Sequence, residues 1–255
     1  MSAIVSPTFW SYWRTVRTPR YSLSFALPLL AAYEALAFVL SRLEVAEVRN
    51  GADVLLKSLL VGLDGQHGLA AFGAVLVGGA VAIIWKDFQR SGKVRPGYFL
   101  LMAGESIAYA LAFGLVAGTL TRALLPTLAL AVPWPDLMTL YSASLSLPTQ
   151  LMISLGAGIY EELLFRVLLV SGLTLVATKV FRWSRTSGSI LAVVLGAFIF
   201  SVFHYLGPYG EPFAIGSFTF RAVAGLLFSG LYVLRGFGIT AWTHALYDVL
   251  LALGW

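Results

Sequence analysis

Apolar residues occupy this chain in long blocks, and charged residues are largely confined to the short segments between them. The blocks fall at about 21–41, 67–85, 97–120, 149–178, 187–206, 214–234 and 238–254. A helix needs about 20 apolar residues to cross the hydrocarbon core. The pattern therefore predicts an all-α polytopic membrane protein with about seven transmembrane helices, in one domain over residues 1–255. Residues 6–20 interleave Trp10, Tyr12 and Trp13 with Arg14, Arg17 and Arg20, which predicts an amphipathic entry segment at the headgroups. Residues 53–63 are too short to span and predict an interfacial or re-entrant helix. Asn50 and Gly51 mark a turn before it and Gly65 a break after it. His67, at that boundary, reads as an interfacial histidine. Residues 121–148 hold Pro126, Pro133, Pro135 and Pro148 and predict a broken connection with one short surface helix.

Composition removes several function classes. The chain is 59% hydrophobic and only 11% charged, against about 25% charged in soluble domains. Its net charge of +5 would suit nucleic acid if the cations clustered on one polar face. Most of them lie instead in the N-terminus and in the loops after the second, fourth and sixth blocks, as membrane orientation requires. That alternation predicts an inside N-terminus and an outside C-terminus, with the bilayer rather than nucleic acid as partner. A cleaved leader is not expected, because no small-residue cleavage site follows the first block. There is no cysteine, so disulfides, thiolate metal sites and cysteine nucleophiles are excluded.

Against this background a few polar groups inside the blocks are costly, at roughly 2.5–3.5 kcal/mol per charge. In 156–169 they are Glu161, Glu162 and Arg166. On an α-helix Glu162 and Arg166 are i,i+4 neighbours in the favourable order, so each can neutralise the other. Glu161 is rotated about 100° away and is left facing a different wall. His204 stands near the end of the fifth block. His244 and Asp248 are again i,i+4, so the carboxylate can fix the imidazole's tautomer. Glu34 and Glu105 lie singly in the first and third blocks, each to be paired with a neighbouring helix or set beside a cavity. A glutamate and two histidines can hold and deprotonate a water, with or without a metal.

Glu161-Glu-x-x-x-Arg166, Phe200-x-x-x-His204 and His244-x-x-x-Asp248, in that order and in late membrane helices, resemble the Caax protease and bacteriocin-processing (CPBP, or Abi) family of intramembrane endopeptidases. The resemblance covers a motif-bearing core at about 149–254. It implies a protease with a catalytic cavity within the bilayer. Glu161 would be the general base, Glu162 would assist it or pair with Arg166, and His204 would position the water. His244 would help stabilise the oxyanion. Asp248 occupies a position often filled by Asn, so it either orients His244, stays protonated or ligates a metal. The family is described both as glutamate-type and as metal-dependent. A metal, if held, would take Glu161, His204 and His244, and zinc suits that set.

The predicted orientation leans towards a cavity opening outward, in a prokaryotic cytoplasmic membrane. A substrate that is a membrane-anchored or exported protein or peptide, such as one losing a C-terminal sorting tail, fits that side better than a prenylated cytosolic tail. Two other classes keep the same residues. A non-enzymatic immunity or scaffold protein would use the motifs as helix-linking ion pairs. A proton-coupled transporter would use Glu34, Glu105 and Glu161 as carriers.

Overall fold

Backbone polar groups in hydrocarbon must be satisfied within the segment, which in a chain of long apolar blocks means helices. The computed structural model describes residues 7–43, 49–91, 93–125, 145–207 and 210–255, and among them there is no strand. In chain order the first four helices are α1 (Pro7–Thr15), α2 (Pro19–Arg42), α3 (Gly51–Ser91) and α4 (Gly97–Leu124). An interrupted helical run follows. It comprises α5 (Leu147–Gly156), two π-helical stretches π1 (Ala157–Glu161) and π2 (Leu163–Val170), and α6 (Ser171–Lys179). The chain ends with α7 (Arg185–Phe203), α8 (Ile215–Arg235) and α9 (Phe237–Ala252).

Among the described residues, five segments are long and apolar enough to cross a membrane: α2, Phe72–Arg90 within α3, α4, α7 and α8. Their outer faces carry large apolar side chains that water would not tolerate in such number. Val75, Leu100 and Leu115 are each more than 70% exposed. The other two predicted spans correspond to the interrupted run and to α9.

Two expectations are corrected. The short helix at 53–63 with a break at Gly65 does not exist as a separate element; α3 runs unbroken from Gly51 to Ser91. A glycine in a helix interior costs only about 1 kcal/mol, too little to interrupt a helix supported on both sides. At 41 residues and 1.5 Å per residue it is roughly 60 Å long, twice the hydrocarbon core of about 30 Å. The block at 149–178 is likewise not a plain α-helix, because its middle is π-helical. The side chain of His67, and residues 126–144 of the proline-rich connection, lie outside the described residues.

The last helix, α9, sits at the centre, packed against α2, α4, α5, π1 and α8. Small residues allow that approach. A Cβ on Gly158 would lie 2.4 Å from the Ala241 carbonyl oxygen, and one on Gly238 would lie 2.2 Å from that of Ser22. Both remaining intramembrane carboxylates are paired. Glu105 of α4 takes both arms of the Arg235 guanidinium and accepts from Tyr12 Oη at 2.7 Å. Arg235 also donates to the Trp13 carbonyl at 3.1 Å and lies 3.7 Å from the centre of a Trp13 ring, so α1 is pinned onto the bundle. Burial, together with Glu105, pushes the Tyr12 hydroxyl above its ordinary pKa, so it stays a donor. Glu34 of α2 accepts from Lys57 Nζ at 2.9 Å and from Tyr160.

Candidate active site

The two adjacent glutamates are treated differently by the fold. Glu162 lies between π1 and π2 and is fully buried. Its Oε1 is 3.2 Å from an Arg166 guanidinium nitrogen and 2.7 Å from His244 Nδ1. Arg166, 1% exposed, lies between two rings, its guanidinium carbon 4.6 Å from the centre of Phe200 and 5.4 Å from that of Phe228. Cation–π attraction of this kind strengthens when water is removed. The His244 ring stacks on Phe228 at 4.2 Å, and its Nε2 is 3.6 Å from Asp248 Oδ2. Glu162, Arg166, His244 and Asp248 thus form one buried chain of charge, with Glu162 as the nearer carboxylate to the imidazole.

Glu161 belongs to a second group. It closes π1 with only 7% of its surface exposed. Its Oε1 accepts a 2.8 Å hydrogen bond from Asn50 Nδ2. Asn50 is itself fixed, because its Oδ1 accepts from the backbone amides of Ala52 at 2.9 Å and Asp53 at 3.4 Å and so caps the start of α3. Asn is among the preferred residues for that task. With the oxygen held, the amide nitrogen has one direction left, towards Glu161. The other oxygen, Glu161 Oε2, faces His204 Nε2 at 4.0 Å. His204 follows the last turn of α7, and its Nδ1 is 2.9 Å from the Phe200 carbonyl. A carbonyl can only accept, so Nδ1 carries the proton and Nε2 is the bare nitrogen of the neutral ring.

The structure therefore gathers all six residues singled out in the sequence, in two clusters that meet at Phe200, whose ring contacts both histidines. Glu161 has a partner that sequence reasoning missed. The Asn50 signal, a helix-capping side chain before an apolar run, announces a helix start but not a contact 111 positions away. His244 is in direct contact with Glu162, with Asp248 near its other ring nitrogen.

The gap between Glu161 and His204 favours water over zinc. Ligand bonds of about 2.0–2.2 Å in tetrahedral geometry bring two donor atoms to roughly 3.4 Å. The observed 4.0 Å is wider, and it matches two ordinary hydrogen bonds of roughly 2.8 Å from one oxygen. Among the described residues no three His, Asp or Glu side chains converge as a metal site. Glu161 Oε2 and His204 Nε2, as arranged, stand wider apart than two tetrahedral zinc ligands.

Residues 143–250 match the model of a family described as Type II CAAX prenyl endopeptidase Rce1-like. Over that segment the chain is similar to the Caax protease family. The matched segment holds Glu161, Glu162, Arg166, His204, His244 and Asp248, while Asn50 lies outside it. No curated protein and no solved structure matches the chain. That similarity, with several apolar helices long enough to span a membrane, points to an integral membrane protein.

The Asn50 contact gives a separable stability effect. Asn50→Ser keeps an oxygen to cap α3 but removes the donor to a buried carboxylate, and is expected to cost about 1–3 kcal/mol. Asn50→Ala removes the cap as well and is expected to cost about 1 kcal/mol more. Unfolding of the three proteins in the same detergent measures both steps. Equal stability of Asn50→Ser and the wild type would show that the Glu161 contact contributes nothing.

Proposed function

We propose that this protein is an intramembrane endopeptidase that hydrolyses a peptide bond in a membrane-anchored or exported protein or peptide, removal of a C-terminal sorting tail being one such task. The observation that carries the proposal is the 4.0 Å gap between Glu161 Oε2 and the bare Nε2 of His204, with the far oxygen of Glu161 already held by Asn50. A water in that gap gives one hydrogen to Glu161 and the other to His204, so a lone pair is free to attack. Glu161 then takes the proton as the peptide carbonyl becomes tetrahedral, and returns it to the leaving amine. His244, doubly protonated between Glu162 and Asp248, gives its Nδ1–H to Glu162 and has its Nε2–H available for the developing oxyanion. Asp248 at 3.6 Å from that nitrogen orients the ring. Arg166 acts at one remove, by neutralising Glu162.

Seven spans, counting the interrupted run and α9, with the N-terminus inside a prokaryotic cytoplasmic membrane, make the account consistent. Asn50 precedes the first turn of α3 and His204 follows the last turn of α7, while Arg90 and Arg185 mark the opposite ends of those helices. With basic ends inside, the site opens outward. The pairing of Glu34 with Lys57 and of Glu105 with Arg235 supports a fixed scaffold around one reactive carboxylate, rather than a chain of proton carriers.

The test is cleavage by the purified protein in phospholipid vesicles of two peptides: one with a C-terminal transmembrane anchor exposed on the outer side, the other with a prenylated C-terminal cysteine tail. The expected result is cleavage of the anchored peptide. Cleavage of only the prenylated tail would overturn the proposed substrate side while keeping the protease. Cleavage of neither, by folded protein, would count against both.

A further inference from the structure

A concavity away from the active site lies on the outside of the interrupted helix. This groove, of about 1050 Å³, is walled by the start of α2, by Ile83 of α3, by α7 and by the α8–α9 junction. It begins beside Leu163 and ends at Lys179. The sixteen steps between them correspond to at most roughly 24 Å of helix, about the depth of one leaflet with its headgroup layer. The floor is apolar. The hydroxyls of Ser171, Thr174 and Thr178 donate to carbonyls of their own helix and offer nothing to a ligand. None of Glu161, Glu162, His204, His244 or Asp248 lines it.

The mouth is different in kind. Arg17, Lys179 and Arg185 stand around it, all exposed and none paired with a carboxylate among the described residues. Every other feature at this rim suits a headgroup boundary: Trp183 and Tyr232 line the same opening, and such aromatic side chains favour that depth. Three unpaired cations above an apolar channel one leaflet deep complement an anionic amphiphile, the negative group at the rim and a hydrocarbon chain below. An extended peptide segment would leave its backbone groups unsatisfied on such a floor.

We propose that this groove is a binding site for one anionic phospholipid of the leaflet on the basic side of the protein. The site is separate from the catalytic cluster and does not depend on the protease reading. It joins α2, the interrupted helix and the α8–α9 junction, so an occupied groove ties the helix bearing Glu161 to the rest of the bundle.

The experiment uses the full chain in detergent, with native mass spectrometry of bound lipid and thermal unfolding as readouts. Phosphatidylglycerol and phosphatidylcholine of identical acyl chains are titrated. Each cation near an anionic headgroup contributes about 1 kcal/mol, so three predict roughly a hundredfold preference for phosphatidylglycerol. Arg17→Gln/Lys179→Gln/Arg185→Gln should abolish that preference. A control triple variant at exposed cations off the groove, Arg14→Gln/Arg90→Gln/Lys93→Gln, should retain it. Thr174→Trp, which fills the channel and leaves the cations, should also lose the tightly bound lipid. Equal binding of the two lipids to the wild type would overturn the proposal, as would equal loss in the control variant. Displacement of the lipid by millimolar glycerol phosphate, or unchanged binding in Thr174→Trp, would show recognition of the headgroup alone and overturn the groove as its site.

Discussion

Arg166→Ala is expected to destabilise the protein by about 3–5 kcal/mol, the usual cost of removing one partner from a buried ion pair. The size follows from where the charge is left. Glu162 is fully buried, and no donor reaches its Oε2. Removing the guanidinium leaves a carboxylate whose one remaining contact is His244 Nδ1 at 2.7 Å. It also empties the space between Phe200 and Phe228 that the guanidinium fills. The pair itself is not a source of great stability, because both groups must leave water. The double variant Glu162→Gln/Arg166→Met should therefore recover most of the loss: Gln still accepts from His244, and Met still fills the slot between the rings. Unfolding in a single detergent, by heat or denaturant, measures both. A double variant as unstable as Arg166→Ala would mean that packing, not stranded charge, dominates.

Glu161→Gln is expected to lower peptide cleavage by about 10²–10⁴-fold, the usual contribution of a positioned general base, while leaving unfolding close to that of the wild type. The substitution keeps the shape, and its carbonyl oxygen still accepts from Asn50 Nδ2. The amide nitrogen would then face His204, able to donate but not to take a proton. Glu162→Gln is a poor substitute as a test, because it strands Arg166 and changes stability and His244 together. The two glutamates, adjacent in sequence, should thus give variants of opposite character. One loses chemistry with the fold intact; the other disturbs the fold.

Much of this was legible in the sequence because hydrophobic blocks, lone intramembrane charges and i,i+4 spacing are local signals. The pairing of Glu162 with Arg166 needed only helical geometry, and it survives the π-helical turns that the sequence did not announce. The family followed from three short motifs in order. What stayed hidden depends on distant contacts. Asn50 looked like punctuation, because capping is local and its reach to Glu161 is not. The continuity of α3 through Gly65 was missed, since a single glycine is a weak breaker when neighbours support the helix. Glu34 and Glu105 were expected to pair with a neighbouring helix or face a cavity, and their partners Lys57 and Arg235, which come from other helices, could not be named from the sequence. His244 was grouped with Glu161, and the fold adds a direct contact to Glu162 that the sequence did not announce.

The central claim is that Glu161 activates the water that cleaves the substrate. It is tested most directly by single-turnover cleavage of the outward-anchored peptide in phospholipid vesicles, comparing wild type and Glu161→Gln at matched protein with matched unfolding temperatures. The account predicts a rate at least about a hundredfold lower in the variant. A Glu161→Gln protein that cleaves within about twofold of the wild-type rate would contradict it, since an amide at that position cannot serve as the base.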